Sequence, residues 1–216
     1  MVSFDDIRND KNIYLYCGNL PNNRRVKTRL NFIGLSLHVT KRTREYTIQH
    51  DLTKPLNLRD NTVDIVQSED VFEHIDYSVL PSVINEIYRC LKPNGLFRLS
   101  IPDYRCDILF DRTEKHPDGT LRFDPGGGGS YDDAQHKVVN GGHVWFPTHD
   151  SVRKLLETSD FKKGKIEFLH YTDSNNVGIC HPIDYSKGYI QRTPDHDERT
   201  KNPRRPFSIV VDCYKD

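Results

Sequence analysis

The sequence predicts an α/β protein built on a parallel sheet with helices on its faces. Three observations carry that prediction. Short apolar runs recur between residues 13 and 101, a helix-period stretch falls between the fourth and fifth of them, and glycine or proline stands at several of their ends. The chain has 216 residues. At about 100–200 residues per domain that predicts one domain over 1–216, with inserts at about 104–147 and 172–206.

Ile13-Tyr14-Leu15-Tyr16 reads as the first strand, stopped by Cys17-Gly18-Asn19. Residues 31–37 (Asn-Phe-Ile-Gly-Leu-Ser-Leu) read as the second, 46–49 as a short third, and 63–68 as the fourth. Val79, Leu80, Val83, Ile84, Ile87, Tyr88 and Leu91 then repeat with a helical period, so 79–91 is a helix with one apolar face. Lys92-Pro93-Asn94-Gly95 ends it, and 96–101 is a fifth strand closing at Pro102-Asp103. Residues 104–149 are rich in glycine and turn residues, which disfavours regular structure. Their string Gly126-Gly127-Gly128-Gly129-Ser130 reads as a native loop or lid. It is not a phosphate-binding Walker loop, because no Gly-Lys-Ser/Thr follows. Val152, Leu155 and Leu156 predict a helix capped by Thr148 or Ser151, and 165–171 and 207–213 alternate as strands. The 172–206 insert has no periodicity. Its segment 184–196 mixes aromatics with charge, compatible with a substrate rim or with an interface in a homo-oligomer.

Composition narrows the function. Lys plus Arg equals Asp plus Glu at 31 each, so the formal charge is zero and a nucleic-acid-coating role is disfavoured. Mean hydropathy is −0.71, and no apolar run approaches the 18 or so residues a membrane helix requires. The start, Met1-Val2-Ser3-Phe4-Asp5-Asp6, lacks a basic-then-apolar signal, so a cytoplasmic location is expected. Five cysteines without a C-x-x-C pair argue against a disulfide framework or a zinc-thiolate site.

In open parallel sheets, ligands bind beyond the carboxyl ends of the strands. That rule singles out Cys17-Gly18-Asn19, Ser36, Asp51, Ser68-Glu69 and Asp103. The same blocks carry a resemblance. Cys17-Gly18-Asn19, His50-Asp51-Leu52-Thr53-Lys54-Pro55-Leu56, Asp60-Asn61-Thr62-Val63-Asp64, Ser68-Glu69-Asp70-Val71-Phe72-Glu73-His74-Ile75 and Glu86-Ile87-Tyr88-Arg89-Cys90-Leu91-Lys92-Pro93-Asn94-Gly95-Leu96 stand in order. The ordered set resembles class I S-adenosylmethionine-dependent methyltransferases of the small type 11-like, polysaccharide-associated group. It covers 13–103 well and 142–161 loosely.

The resemblance implies a Rossmann-like, seven-stranded, mostly parallel sheet with an antiparallel last strand and helices on both faces. It implies S-adenosyl-L-methionine as cofactor, held by Cys17, Gly18, Asn19, Ser36, Asp51, Leu52, Ser68 and Glu69. It also implies methylation of an oxygen of a carbohydrate or other polar small molecule. Two departures stand out: Tyr16 occupies the first position of the family's glycine loop, and Ser36 replaces the acid that would accept from both ribose hydroxyls. A serine there loses charge assistance worth about 1 kcal/mol. The alternative is a non-catalytic relative that keeps the fold as a binding or scaffolding module.

The catalytic candidates are His143, whose ordinary pKa suits removal of a hydroxyl proton, and Asp103, each of which could instead anchor a turn or loop. Tyr104, Arg105 and Trp145 are candidate acceptor contacts, and residues 124–143 are expected to cover the acceptor pocket as a lid with glycine-rich mobile ends. His74 reads as part of a helix-start motif. The pairs His50-Asp51, His149-Asp150 and His196-Asp197 resemble those of metal-dependent phosphohydrolases. Those enzymes are all-helical, whereas these pairs fall on strand ends and loops, so no metal site is expected. The basic run Arg24, Arg25, Lys27, Arg29 is a solvated loop or a contact for an acceptor phosphate.

Overall fold

The structure is a computed structural model and describes residues 1–18, 31–190 and 208–216. Its centre is a parallel array of β1 (Ile13–Cys17), β2 (Asn31–Ser36), β3 (Thr47–Gln49), β4 (Val63–Glu69) and β5 (Leu91–Pro102). Helices are α1 (Phe4–Ile7), α2 (Leu80–Cys90), α3 (Asp107–Arg112) and α4 (His149–Glu157). The glycine-rich insert holds two small hairpins, β6 (Glu114–Lys115) with β7 (Leu121–Phe123) and β8 (Ser130–Asp132) with β9 (Lys137–Val139). The expectation of irregular chain there is corrected, because the left-handed residues Gly119 and His136 close the turns that let short strands pair.

After α4 come β10 (Lys165–Thr172), β11 (Gly178–Cys180) and β12 (Ser208–Tyr214). The strand order is β11-β10-β12-β5-β4-β1-β2-β3. β12 runs antiparallel to both β5 and β10, as expected for the last strand. The sheet has eight strands instead of seven, because the start of the 172–206 insert turns back at Asn176 and adds β11 at the edge. No helix among the described residues is long and apolar enough to cross a membrane.

Alternation along the strands gives the sheet two unlike faces. Leu15, Cys17, Val66, Phe97, Leu99, Ile101, Ile209, Val211 and Cys213 share one face and one apolar core with α2 and α4. On α2 the buried residues Leu80, Val83, Ile84, Ile87 and Tyr88 form the expected stripe. Each such side chain contributes roughly 1.5–3 kcal/mol on burial. Thr148 caps α4, accepting from the Ser151 backbone N–H at 3.3 Å.

The opposite face carries a polar row. Arg98 and Asp212 are cross-strand partners, with the guanidinium Nε and Nη2 each 2.7 Å from one carboxylate oxygen. The remaining Arg98 nitrogen donates to the carbonyls of Asp184 (2.9 Å) and Gly188 (2.6 Å), which ties the 184–188 turn to the sheet. Beside them Gln67 accepts from the Tyr14 hydroxyl and donates to Glu69 at 2.9 Å and to the Tyr189 carbonyl at 3.0 Å.

Arg98 is wholly buried, so Asp212→Ala strands a charge in the interior. Unfolding in urea should show a loss of about 3–5 kcal/mol. The double variant Arg98→Met/Asp212→Leu should recover only part of it, because the Asp184 and Gly188 carbonyls still lose their donor.

Candidate functional site

A cavity of about 280 Å³ opens where β4 and β5 end and β12 begins, lined among others by Asp70, His74, Arg112, Gly127 and His143. Asp70 has φ +52, and this left-handed residue turns the chain off β4 into the short turn Phe72–His74. Three hydrogen bonds stitch that turn to the end of the insert. Val144 N–H donates to the Glu73 carbonyl at 2.8 Å, the Trp145 indole to the Phe72 carbonyl at 2.9 Å, and His74 Nδ1 to the Gly142 carbonyl at 2.8 Å.

Behind the cavity Asp124 is fully buried and collects four donors. Its Oδ1 accepts from Arg112 Nε (2.9 Å) and Gly126 N–H (2.8 Å), and its Oδ2 from Arg112 Nη2 (2.7 Å) and the Tyr104 hydroxyl (2.6 Å). Burial pushes its carboxyl up, but these donors outweigh that and hold it below the usual carboxylate range. The Tyr104 phenol is pushed well above its usual value, first by burial and then by bonding to Asp124, so it keeps its proton. That single proton points at Asp124. Toward His143 Nδ1, with which it also bonds, the phenol oxygen can only accept. His143 therefore carries its hydrogen on Nδ1 and presents a lone pair at Nε2, on the side of the fully buried Glu73 carboxylate 3.6 Å away.

Of the expected mobile ends, Gly126, Gly127, Gly129 and Gly142 are closely packed, whereas Gly141 has open space where a Cβ would stand. A Cβ at Gly126 would lie 2.6 Å from the Arg112 guanidinium carbon, and one at Gly127 would lie 2.7 Å from the His143 ring. A Cβ at Gly129 or Gly142 would run into the backbone of Gly141 or Gly128, so the two glycine stretches lie backbone to backbone.

At the cofactor end, the structure sorts the expected residues. Gly18 has φ +102, packs on Val71 and donates its N–H to the Leu35 carbonyl at 2.8 Å. The Cys17 and Ser68 side chains are neighbours in register and fully buried, with the Cys17 thiol pushed up to about 12 by burial. Neither can offer its side chain to a ligand, a correction that follows from the strand alternation turning both inward. Glu69 is turned to the polar face, where it takes the Tyr16 hydroxyl (3.3 Å) and Gln67. Ser36 and Asp51 are half-buried at the ends of β2 and β3. Asp51 Oδ1 accepts from the Thr53 N–H (2.9 Å) and hydroxyl (2.8 Å), which holds its carboxyl below the usual range and leaves Oδ2 for a ligand. Leu52 packs against the main core. Asn19 and the basic run at 24, 25, 27 and 29 lie outside the described residues.

At the acceptor end, His143 lines the cavity as expected and Asp103 does not. Asp103 is fully buried, its oxygens taken by the Arg105 N–H (3.0 Å) and Thr172 N–H (2.6 Å), so it ties β5 to the end of β10. Tyr104 stands behind His143, Arg105 pairs with Asp150 at 2.7 Å, and Trp145 packs on Tyr77 with its indole N–H engaged. Sequence reasoning missed Asp124, Arg112 and Glu73. Asp124 was visible only as the residue before Pro-Gly, and Glu73 as one letter of the Glu-His pair.

Gly127→Ala places its new methyl against the His143 ring. Thermal unfolding should register a loss of roughly 1–3 kcal/mol, the usual size of an overpacked site, and the His143 ring resonances should shift.

Residues 27–99, from before β2 through most of β5, match the family model described as a methyltransferase domain. No curated protein gives a significant match. Among solved structures, a Thermotoga maritima S-adenosylmethionine-dependent methyltransferase, described as a possible histamine N-methyltransferase, superposes with a TM-score of 0.51 at 14% identity, over 95% of this chain and 82% of that one. A Methanosarcina mazei S-adenosylmethionine-dependent methyltransferase gives 0.48 at 8% identity, over 100% of this chain and 98% of the other. A Burkholderia thailandensis 1,6-didemethyltoxoflavin-N1-methyltransferase, solved with S-adenosylhomocysteine, gives 0.49 at 12% identity, over 95% and 72%. At 14% identity the first of these likenesses is one of fold. The chain thus has the Rossmann-like methyltransferase fold, and residues 27–99 are similar to a methyltransferase domain.

Proposed function

We propose that the chain is an S-adenosylmethionine-dependent methyltransferase acting on an oxygen of a carbohydrate or other polar small molecule held in the cavity beyond β4 and β5. The observation that carries this reading is the methyltransferase-domain match over 27–99, the part of the chain that ends at this cavity. The residues at the other end of the same sheet edge fit the cofactor. Asp51 offers a carboxylate oxygen to an amino donor, Ser36 a hydroxyl, and Gly18 a strand end with no side chain. When bound, S-adenosylmethionine supplies an activated methyl group, so the protein's own task is placement and proton removal. His143 Nε2 accepts the acceptor's hydroxyl proton, and Tyr104 and Asp124 steady the imidazolium that forms. Arg112 and Asp70 give the cavity its charge, in keeping with a polar acceptor. A non-catalytic scaffold is the competing reading. It is favoured by one observation, that Tyr16 stands where the family has glycine and bonds to Glu69.

Calorimetric titration with S-adenosylmethionine and S-adenosylhomocysteine separates the two readings. Binding supports the enzyme, and no heat at millimolar ligand supports the scaffold. Asp51→Ala should weaken that binding about tenfold, the size of one hydrogen bond to a charged group. His143→Ala should leave it nearly unchanged. It should also lower methyl transfer to a panel of sugars and polyols by about 10²–10⁴-fold, the usual contribution of a general base.

A further inference from the structure

The mouth of the cavity holds a second feature, carried by two histidines and one carboxylate. One ligating atom from each of Glu73, His74 and His143 lies within 4.8 Å of the others. Glu73 is wholly buried, His143 nearly so, and His74 has 39% of its side chain exposed toward the opening. Both imidazoles have their hydrogen assigned by their partners. His74 Nδ1 faces the Gly142 carbonyl at 2.8 Å, which can only accept, and His143 Nδ1 faces the Tyr104 oxygen, whose own proton goes to Asp124. In their neutral forms both rings therefore turn an Nε2 lone pair toward Glu73, at 3.8 Å from His74 and 3.6 Å from His143.

Two imidazole nitrogens and a carboxylate oxygen gathered within 4.8 Å form a donor set that one cation can bridge. The separations exceed a hydrogen bond, which spans about 2.7–3.2 Å. The 3.6 Å separation stands at the upper end of the roughly 3.3–3.6 Å between two ligands that each sit 2.0–2.2 Å from a tetrahedral ion, and the 3.8 Å one is about 0.2 Å beyond it. The rest of the shell follows the same logic. Metal-binding histidines donate their other N–H to a carbonyl or carboxylate system that fixes the ring. Here Gly142 does so for His74, and Tyr104 backed by Asp124 and Arg112 does so for His143.

We propose that Glu73, His74 and His143 form a binding site for one divalent first-row transition ion of the Zn²⁺ type, with an open position facing the cavity. Two imidazoles and a carboxylate are the donor set such ions favour over Mg²⁺ or Ca²⁺, and three protein ligands leave room for an oxygen of water or of a bound polar molecule. The ion and the base role of His143 both use the Nε2 lone pair, so the base role is read in the metal-free protein and the ligand role in the ion-loaded one. The site does not depend on the methyltransferase reading: a chain that binds Zn²⁺ but not S-adenosylmethionine keeps the one and loses the other.

The test uses the full chain, stripped with EDTA and dialysed, titrated with ZnCl₂ by calorimetry and with CoCl₂ by visible absorption. One equivalent of either ion should bind, with Co²⁺ giving the bands of a low-symmetry nitrogen and oxygen site. Glu73→Gln and His74→Ala should each weaken Zn²⁺ at least tenfold. Cys180→Ser, which removes the exposed thiol beside His181, should change nothing. Thermal melting establishes first that each variant folds. Should Glu73→Gln fail to fold, His74→Ala, at a half-exposed position, decides alone. Absence of Zn²⁺ binding to the parent at millimolar ion overturns the proposal. So does binding that His74→Ala leaves at the parental strength, or that Cys180→Ser abolishes.

Discussion

The site depends on one buried charge, Asp124. Its two oxygens collect the Arg112 guanidinium, the Gly126 N–H and the Tyr104 hydroxyl, and each of these partners belongs to a different part of the architecture. Arg112 ends α3, Gly126 opens the glycine run, and Tyr104 follows β5. An ionised carboxylate deep in the protein is tolerated only with such a full set of donors. Because the donors come from separate segments, satisfying Asp124 also fixes where those segments lie. The direction of the Tyr104 proton, and through it the tautomer of His143, follows from the same charge.

The sheet divides its labour by face. The helix-covered side is a largely apolar layer, and it supplies most of the burial that stabilises the fold. The other side carries Arg98–Asp212 and the Tyr14–Gln67–Glu69 chain, which the 184–190 segment closes. Such a polar layer contributes less to stability than an apolar one and more to uniqueness, since every donor has one acceptor in reach. Gly188 shows how close the fit is: any side chain there would collide with the Tyr14 hydroxyl and with Gln67.

Much of this was legible in the sequence wherever periodicity governs. The runs at 13–16, 31–37, 63–68, 165–171 and 207–213 became β1, β2, β4, β10 and β12 within one or two residues at either end, and 79–91 became α2. Cross-face detail was less legible. Ser68 and Cys17 stand at the carboxyl edge as the motif places them, yet strand alternation turns both side chains inward, a matter of parity that a motif does not encode. The insert was the hardest part. Glycine reads as flexibility in a sequence, whereas here Gly126 and Gly127 are glycine because a guanidinium and an imidazole occupy the space a Cβ would take. Asp124 and Glu73 act through partners 12 to 70 positions away, Arg112 and Tyr104 for one and His143 for the other. No local pattern carries that information.

The two ends of the ligand edge are built to different standards, and the chemistry of methyl transfer explains why that serves the proposed reaction. At the cofactor end Ser36 and Asp51 are half-buried, and contacts such as those open to them contribute about 1–2 kcal/mol each. At the acceptor end the polar groups are largely buried, and the His143 ring is flanked by Gly127, Tyr104 and His74. A methyl donor that arrives already activated leaves the protein little bond-making to assist. Rate then depends on holding the acceptor oxygen in line and taking up its proton, where a displacement of 1 Å costs on the order of 10²-fold. Placement is worth most at the acceptor, and there the cavity is backed by the buried carboxylates Glu73 and Asp124 and by the close-packed Gly126, Gly127, Gly129 and Gly142.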